Sequence, residues 1–168
     1  MPLHASHLPA LATALLLSGC FFSETPKFGL DSAIAVFGSG GRYQSYERLA
    51  DGTYNKDEAI TLVRRDDGAY DFIDEKGEAQ LVSFHAMAGG YHIGQVKEKQ
   101  EKNKSGYAYF VIRVSDNETL VYVPACDRQD KQMLLRYSVS LNRQFECTID
   151  RVFNAADFFA ATKLGEPT

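Results

Sequence analysis

Tyr107-Ala108-Tyr109-Phe110-Val111-Ile112-Arg113-Val114 is the stretch on which the fold turns. Ala108, Phe110, Ile112 and Val114 fall on one side of an extended chain, and Tyr107, Tyr109, Val111 and Arg113 on the other. A period of two, carried by aromatic and β-branched residues, predicts a strand over 107–115. Asp116-Asn117 then turns the chain, and 120–123 pairs back. Pro124 closes that strand because it has no N–H for a further ladder bond. On the other side, the mixed-charge run 97–104 reads as a solvated hairpin tip.

The same rhythm extends toward the N-terminus. Strands are predicted at 42–49, 59–65, 70–74, 79–87 and 91–96. Turns separate them at Ala50-Asp51-Gly52, Asp66-Asp67-Gly68, Glu75-Lys76-Gly77 and Gly89-Gly90. Asp-Gly and Gly-Gly suit these positions because they tolerate positive φ. Strands recurring about every ten residues, with tight turns and no βαβ alternation, predict a mainly β, antiparallel meander. Such a meander must hide its edges, which predicts a barrel or a strongly curled sheet.

The two ends differ from this core. Residues 30–37 fit either a short helix capped by Asp31 or an apolar strand, and Gly38-Ser39-Gly40-Gly41 then predicts a loop. Residues 127–135 suit one or two helical turns. Short strands are expected at 138–141 and 145–149, where Phe145, Cys147 and Ile149 share a face. Asn154 is a good N-cap for a short C-terminal helix over 155–163, with Gly165 as its stop.

The chain has 168 residues, a formal charge of −4, nine Tyr, eleven Phe and no Trp. A mildly acidic chain lacks the basic face that neutralises phosphates, so no nucleic-acid partner is expected. Leu8 to Leu17 is an uncharged apolar run of about ten residues, the length of a signal-peptide h-region and short of the roughly 20 that cross a bilayer.

Leu17-Ser18-Gly19-Cys20, directly after that run, resembles the lipobox of bacterial lipoproteins. The resemblance covers residues 1–20 alone. It departs from the family in one respect: residues 1–7 carry no Lys or Arg, only His4 and His7. The resemblance implies cleavage after Gly19, a diacylglyceryl group on the Cys20 thiol and acylation of the new amine. Two or more chains anchor durably where one does not. Phe21, rather than Asp, follows the lipidated position, which by the family rule implies the outer membrane, with the domain facing the periplasm. The expected organisation is a signal peptide at 1–19, a lipid anchor and short tether at 20–27, and one β-rich domain at 28–168.

In that compartment the two remaining cysteines, Cys126 and Cys147, are expected to form a disulfide. Closing the loop between them contributes about 3 kcal/mol. A metal site is the alternative, but two Cys without a nearby His make a poor ligand set. His85 and His92 flank the Gly89-Gly90 turn. A turn at Ala88-Gly89 would place them opposite each other as two metal ligands, whereas a turn at Gly89-Gly90 would set His85 against Gly94. No third ligand is evident, and no metal or cofactor is expected. Ser83 lies two positions from His85 but outside any Gly-x-Ser-x-Gly elbow. The carboxylate pairs Asp66-Asp67 and Asp74-Glu75 fall in wet turns, whereas a catalytic acid needs a desolvating cleft. No catalytic residue is assigned, and the chain is read as a non-enzyme.

Tyr91, Tyr107, Tyr109 and Tyr122 fall on predicted strands. They either line a pocket for an apolar or amphipathic molecule or fill and cover the sheet. Ser39-Gly40-Gly41-Arg42-Tyr43 resembles the Ser-Gly-x-Arg-Tyr motif of lipoprotein inhibitors of lysozyme. In that family the motif lies late in the domain, on a loop that enters the enzyme's active site; here it lies early. The likeness would make Ser39, Gly40 and Arg42 a protruding partner loop. The primary expectation is a lipid-anchored envelope protein acting as a non-enzymatic binding or structural module. The alternatives are a calycin-like carrier of a small amphipathic ligand, without the Gly-x-Trp signature of lipocalins, or an inhibitor of a secreted enzyme such as lysozyme.

Overall fold

The computed structural model describes residues 21–99, 105–142 and 146–167. The lipidation position Cys20, the leader 1–19, the second part of the charged run at 100–104, and Phe145 lie outside the described residues. The strands are β1 (Phe21–Ser23), β2 (Gly40–Arg48), β3 (Tyr54–Arg64), β4 (Tyr70–Ile73), β5 (Ala79–Ala86), β6 (Tyr91–Lys99), β7 (Ser105–Val114), β8 (Thr119–Tyr122), β9 (Ser140–Leu141) and β10 (Cys147–Thr148). Two helices follow β8: α1 (Lys131–Arg136) and α2 (Ala155–Ala161).

The strands form one sheet in the order β2-β3-β4-β5-β6-β7-β1-β10-β9, with β8 also on β7. All pairings are antiparallel except β1 with β10. The sheet does not close; of the two expected forms it is the strongly curled one. An ion pair of 2.5 Å joins Arg48, on end strand β2, to Glu166 in the C-terminal tail. No helix among the described residues is long and apolar enough to cross a membrane.

β7 is central, as its alternation predicts, and both its sides are buried. On one side Ile112 joins Leu62, Tyr70, Val82 and Phe84, with Phe110 and Val114 packed against them. On the other, Tyr109 joins Phe21, Ile93, Leu134, Ile149, Phe158 and Phe159 around Cys126 and Cys147. Gly94 is paired with Phe110, whose ring reaches over it; a Cβ at Gly94 would sit 2.2 Å from the ring's far end. The glycine makes room for the aromatic to cross the strand, a close approach no side chain permits.

The tether expected at 20–27 is corrected by the structure. β8 covers only residues 111–114 of β7, leaving the ladder at 107–109 open. β1 fills it, with Phe21 opposite Tyr109 and Ser23 opposite Tyr107. Unpaired ladder groups beside a core are costly, and Phe21 gains complete burial by pairing there. The domain therefore includes Phe21.

Residues 30–37 form neither a helix nor a strand of the sheet. A 3-10 turn, Leu30–Ser32, is followed by an extended passage in which Ile34 N–H donates to the Phe84 carbonyl at 2.9 Å. Phe28 and Ser32 contact His85 on one face of the sheet, while Phe37 packs on Tyr43, Tyr70 and Phe84 on the other. Residues 24–37 thus form a strap that changes faces past the end of β4.

The C-terminal segment follows expectation more closely. Asn154 caps α2, its side-chain oxygen accepting from Asp157 N–H at 3.2 Å. Asp130 does the same for α1 at Met133 N–H. Cys126 and Cys147 are joined in a disulfide, with Cα atoms 5.6 Å apart. Gln129 fastens the tail: its amide nitrogen donates to the Lys163 carbonyl at 3.0 Å, and its oxygen accepts from Lys163 N–H at 2.8 Å.

Candidate functional site

The polar groups of the domain converge beneath the strap. β5 and β6 place Ser83, His85 and Gln95 on the face that the strap covers, and all three are buried. Ser32 Oγ donates to the Gly29 carbonyl at 2.9 Å, so its oxygen accepts from His85 Nδ1–H at 3.0 Å. His85 Nε2 then accepts from Ser83 Oγ–H at 2.9 Å. Gln95 uses one amide proton on the Phe28 carbonyl at 3.0 Å and turns the other toward Ser83 Oγ at 3.4 Å. Its oxygen accepts from Lys27 N–H at 2.8 Å, Phe28 N–H at 3.1 Å and the Tyr109 hydroxyl at 3.2 Å. Tyr109 also lies 2.6 Å from Ser23 Oγ and accepts from Lys27 N–H at 3.1 Å. Buried polar groups are tolerated when each finds a partner, and here the partners are mainly strap backbone.

Burial sets the electrostatics. It pushes the Tyr109 hydroxyl up to about 12, against smaller lowering by its bonds to Ser23 and Lys27. Burial also lowers the His85 pKa below its ordinary 6.5, outweighing the upward pull of Ser32 and Asp31. The neutral imidazole stacks on Phe28, ring centres 4.7 Å apart and 21° between planes. Protonation would force Nε2 to donate to a serine already donating to it. A histidine whose folded pKa is depressed contributes stability that is whole above about pH 6.5 and lost as pH falls through the folded value. His92, also lowered by burial, acts in the same direction. Half-buried Glu98, whose pKa desolvation raises above its ordinary 4.5, opposes it. Melting temperature is therefore expected to fall as pH drops below 6.5, and a His85→Gln variant to show a smaller fall. An equal fall in the variant would remove His85 from the account.

Ser83 and His85 stand as a hydroxyl and a neutral base must stand for nucleophilic chemistry. The surroundings do not complete such a centre. Both Gln95 amide protons are committed, and the strap amides Ser32 N–H and Ala33 N–H donate to Gly29 and Leu30 carbonyls. A developing oxyanion needs free donors aimed at it. The network holds the strap.

The strap and sheet leave a recess of about 150 Å³ beside this network. Pro26, Phe28, Gly29 and Leu30 form its strap side; Leu81, Ser83, Gln95, Lys97 and Tyr107 form its sheet side. Of the four tyrosines, Tyr107 lines this recess and Tyr109 is packed behind it. Tyr91 and Tyr122 contact each other, ring centres 5.9 Å apart, at the opposite end of β7, with the Arg113 guanidinium 5.7 Å from Tyr91. The four share a face of the sheet without meeting in one pocket.

The two histidines do not form a pair. His85 is opposite Ile93, and Ala86 opposite His92, because a three-residue turn, Ala88–Gly90, joins β5 to β6. An odd turn length inverts the parity that either two-residue turn would set, so the rings point to opposite faces. No group of metal-ligating side chains occurs among the described residues.

The partner loop expected at Ser39, Gly40 and Arg42 is also corrected. Ser39 ends an exposed turn, but Gly40 and Arg42 belong to β2, opposite Val63 and Thr61. Gly40 is at φ 96°, and a Cβ there would lie 2.1 Å from the Leu62 carbonyl oxygen. The glycine serves the approach of two strands, not a protruding loop.

Sequence reasoning missed Gln95, Phe28 and Ser32. The alternation of 79–87 puts Ser83 and His85 on one side of the strand and Val82 and Phe84 on the other, as the register shows. The available signal was the strap's own composition: Phe28, with Ile34, Val36 and Phe37 after it, needs apolar cover. Comparison with protein-family models, curated sequences and solved structures finds no match to the chain.

Proposed function

We propose that the chain is an envelope lipoprotein, anchored in the outer membrane by acyl chains on Cys20, whose curled sheet is a non-enzymatic binding module facing the periplasm. The observation that carries the reading is the position of Phe21. The residue next to Cys20 is buried in the sheet, so the domain reaches to the position directly after the lipobox. A bonded Cys126–Cys147 pair suits an oxidising compartment and leaves Cys20, of three cysteines, available for acylation. The committed donors around Ser83 support binding over catalysis. With β1 taking the place of a tether, the sheet is held close to the lipid headgroups.

The test is intact-mass analysis of protein extracted from membranes. The expected mass is that of residues 20–168 plus a diacylglyceryl and an acyl group. Cys20→Ser is expected to keep residues 1–19 and to lose that added mass. A wild-type chain still starting at Met1 would sink the reading. The recess beneath the strap favours the carrier form of this module over a purely structural one.

A further inference from the structure

We propose that the recess between the strap and the sheet binds a small organic carboxylate with an apolar stem. The inference rests on the binding reading above and names the ligand class. Its volume, about 150 Å³, matches cavities that admit one benzene-sized group. Phe28, Leu30 and Leu81 supply apolar wall. The polar floor, Ser83 and Gln95, has its protons committed to His85 and the strap, so it calls for no second polar group on the ligand.

One end of the recess is different. Lys97 and Tyr107 are directly opposed across β6 and β7, on the same face. Neither side chain has a hydrogen-bond or ion-pair partner among the described residues. One ammonium and one hydroxyl, side by side, provide donors for a single negative charge with two acceptor oxygens. A phosphate dianion would require more donors than these. The walls are also set before a ligand arrives, because Gln95 and His85 hold the strap at Lys27, Phe28 and Ser32. A pre-formed site loses less ordering entropy on binding.

Benzoate is the probe, with benzyl alcohol as its neutral isostere, each titrated into the isotopically labelled full chain and followed by amide chemical shifts. Benzoate is expected to move the amides of the recess and to bind more tightly than benzyl alcohol. Lys97→Gln is expected to weaken benzoate about tenfold while leaving benzyl alcohol unchanged. Leu81→Trp fills the recess and is expected to abolish both. Should that variant fold poorly, Tyr107→Phe, which removes one donor, is expected to weaken benzoate alone. The proposal is overturned if benzoate moves no amide of the recess at about 10 mM, if benzyl alcohol binds equally well, or if Lys97→Gln changes nothing. These outcomes are separate from the anchoring result: an acylated Cys20 with an inert recess sinks this inference alone, and a bare Cys20 with benzoate bound sinks only the anchor.

Discussion

Replacing Phe21 with Ala is expected to destabilise the domain by about 3–5 kcal/mol, the cost of emptying a large aromatic from a packed core. Two ring contacts and two cross-strand pairings meet at this residue. Its ring meets Phe158 and Phe159 edge-on, with centres 5.1 and 5.8 Å away, and both of those rings are themselves buried. Its backbone joins β7 to β10, opposite Tyr109 on one side and Cys147 on the other. The two short strands beyond it, β10 and β9, reach the rest of the sheet through β1. A domain of this size has about 5–15 kcal/mol of stability in total, so the loss is a large fraction of it. Phe22→Ala is the internal control, since that ring is only half-buried and points to the other face. Urea unfolding of both variants, disulfide intact, checks the ranking. Equal midpoints for the two would show that residue 21 is part of a tether after all.

The Cys126→Ala and Cys147→Ala double variant is expected to lose about 3 kcal/mol through the freed loop of the unfolded chain. The bond connects the 3-10 turn Cys126–Arg128, which follows β8, to β10. Little regular structure does that work otherwise: β9 and β10 are two residues each, and α1 and α2 contribute six and seven. Both sulfurs are buried among Phe21, Tyr109 and Phe159, so reducing agent is expected to act only after partial opening. Adding Phe21→Ala to this variant is expected to give a combined loss different from the sum, because Phe21 and Cys147 are cross-strand neighbours. The check is thermal melting with and without reductant. A wild-type melt indifferent to reductant, under conditions shown to break the bond, would contradict the assigned role.

The meander was legible because its signal is local. The alternation of 107–115 and the Asp-Gly turn at Asp67-Gly68 depend on residues within a few positions of each other, and so does the Asn154 cap. Where the expectation failed, the deciding partner was distant in the chain. β1 is too short to show any period, and its place exists only because β8 leaves half of β7 uncovered. The strap is extended for a similar reason: Ile34 bonds to Phe84 from fifty positions away in sequence, and nothing near Ile34 announces it. The histidine parity hung on a single residue of turn length, which glycine content alone does not set.

The sequence by itself determined the antiparallel β class, the Asn154 cap and the pairing of Cys126 with Cys147, each written in adjacent residues or in a count of thiols. Only the tertiary structure decided that Phe21 is core, that His85 and Gln95 clamp a strap, and that Lys97 and Tyr107 flank a recess. Those outcomes depend on which unpaired backbone and which apolar faces are left over once the strands have paired. That remainder is a property of the whole packed chain.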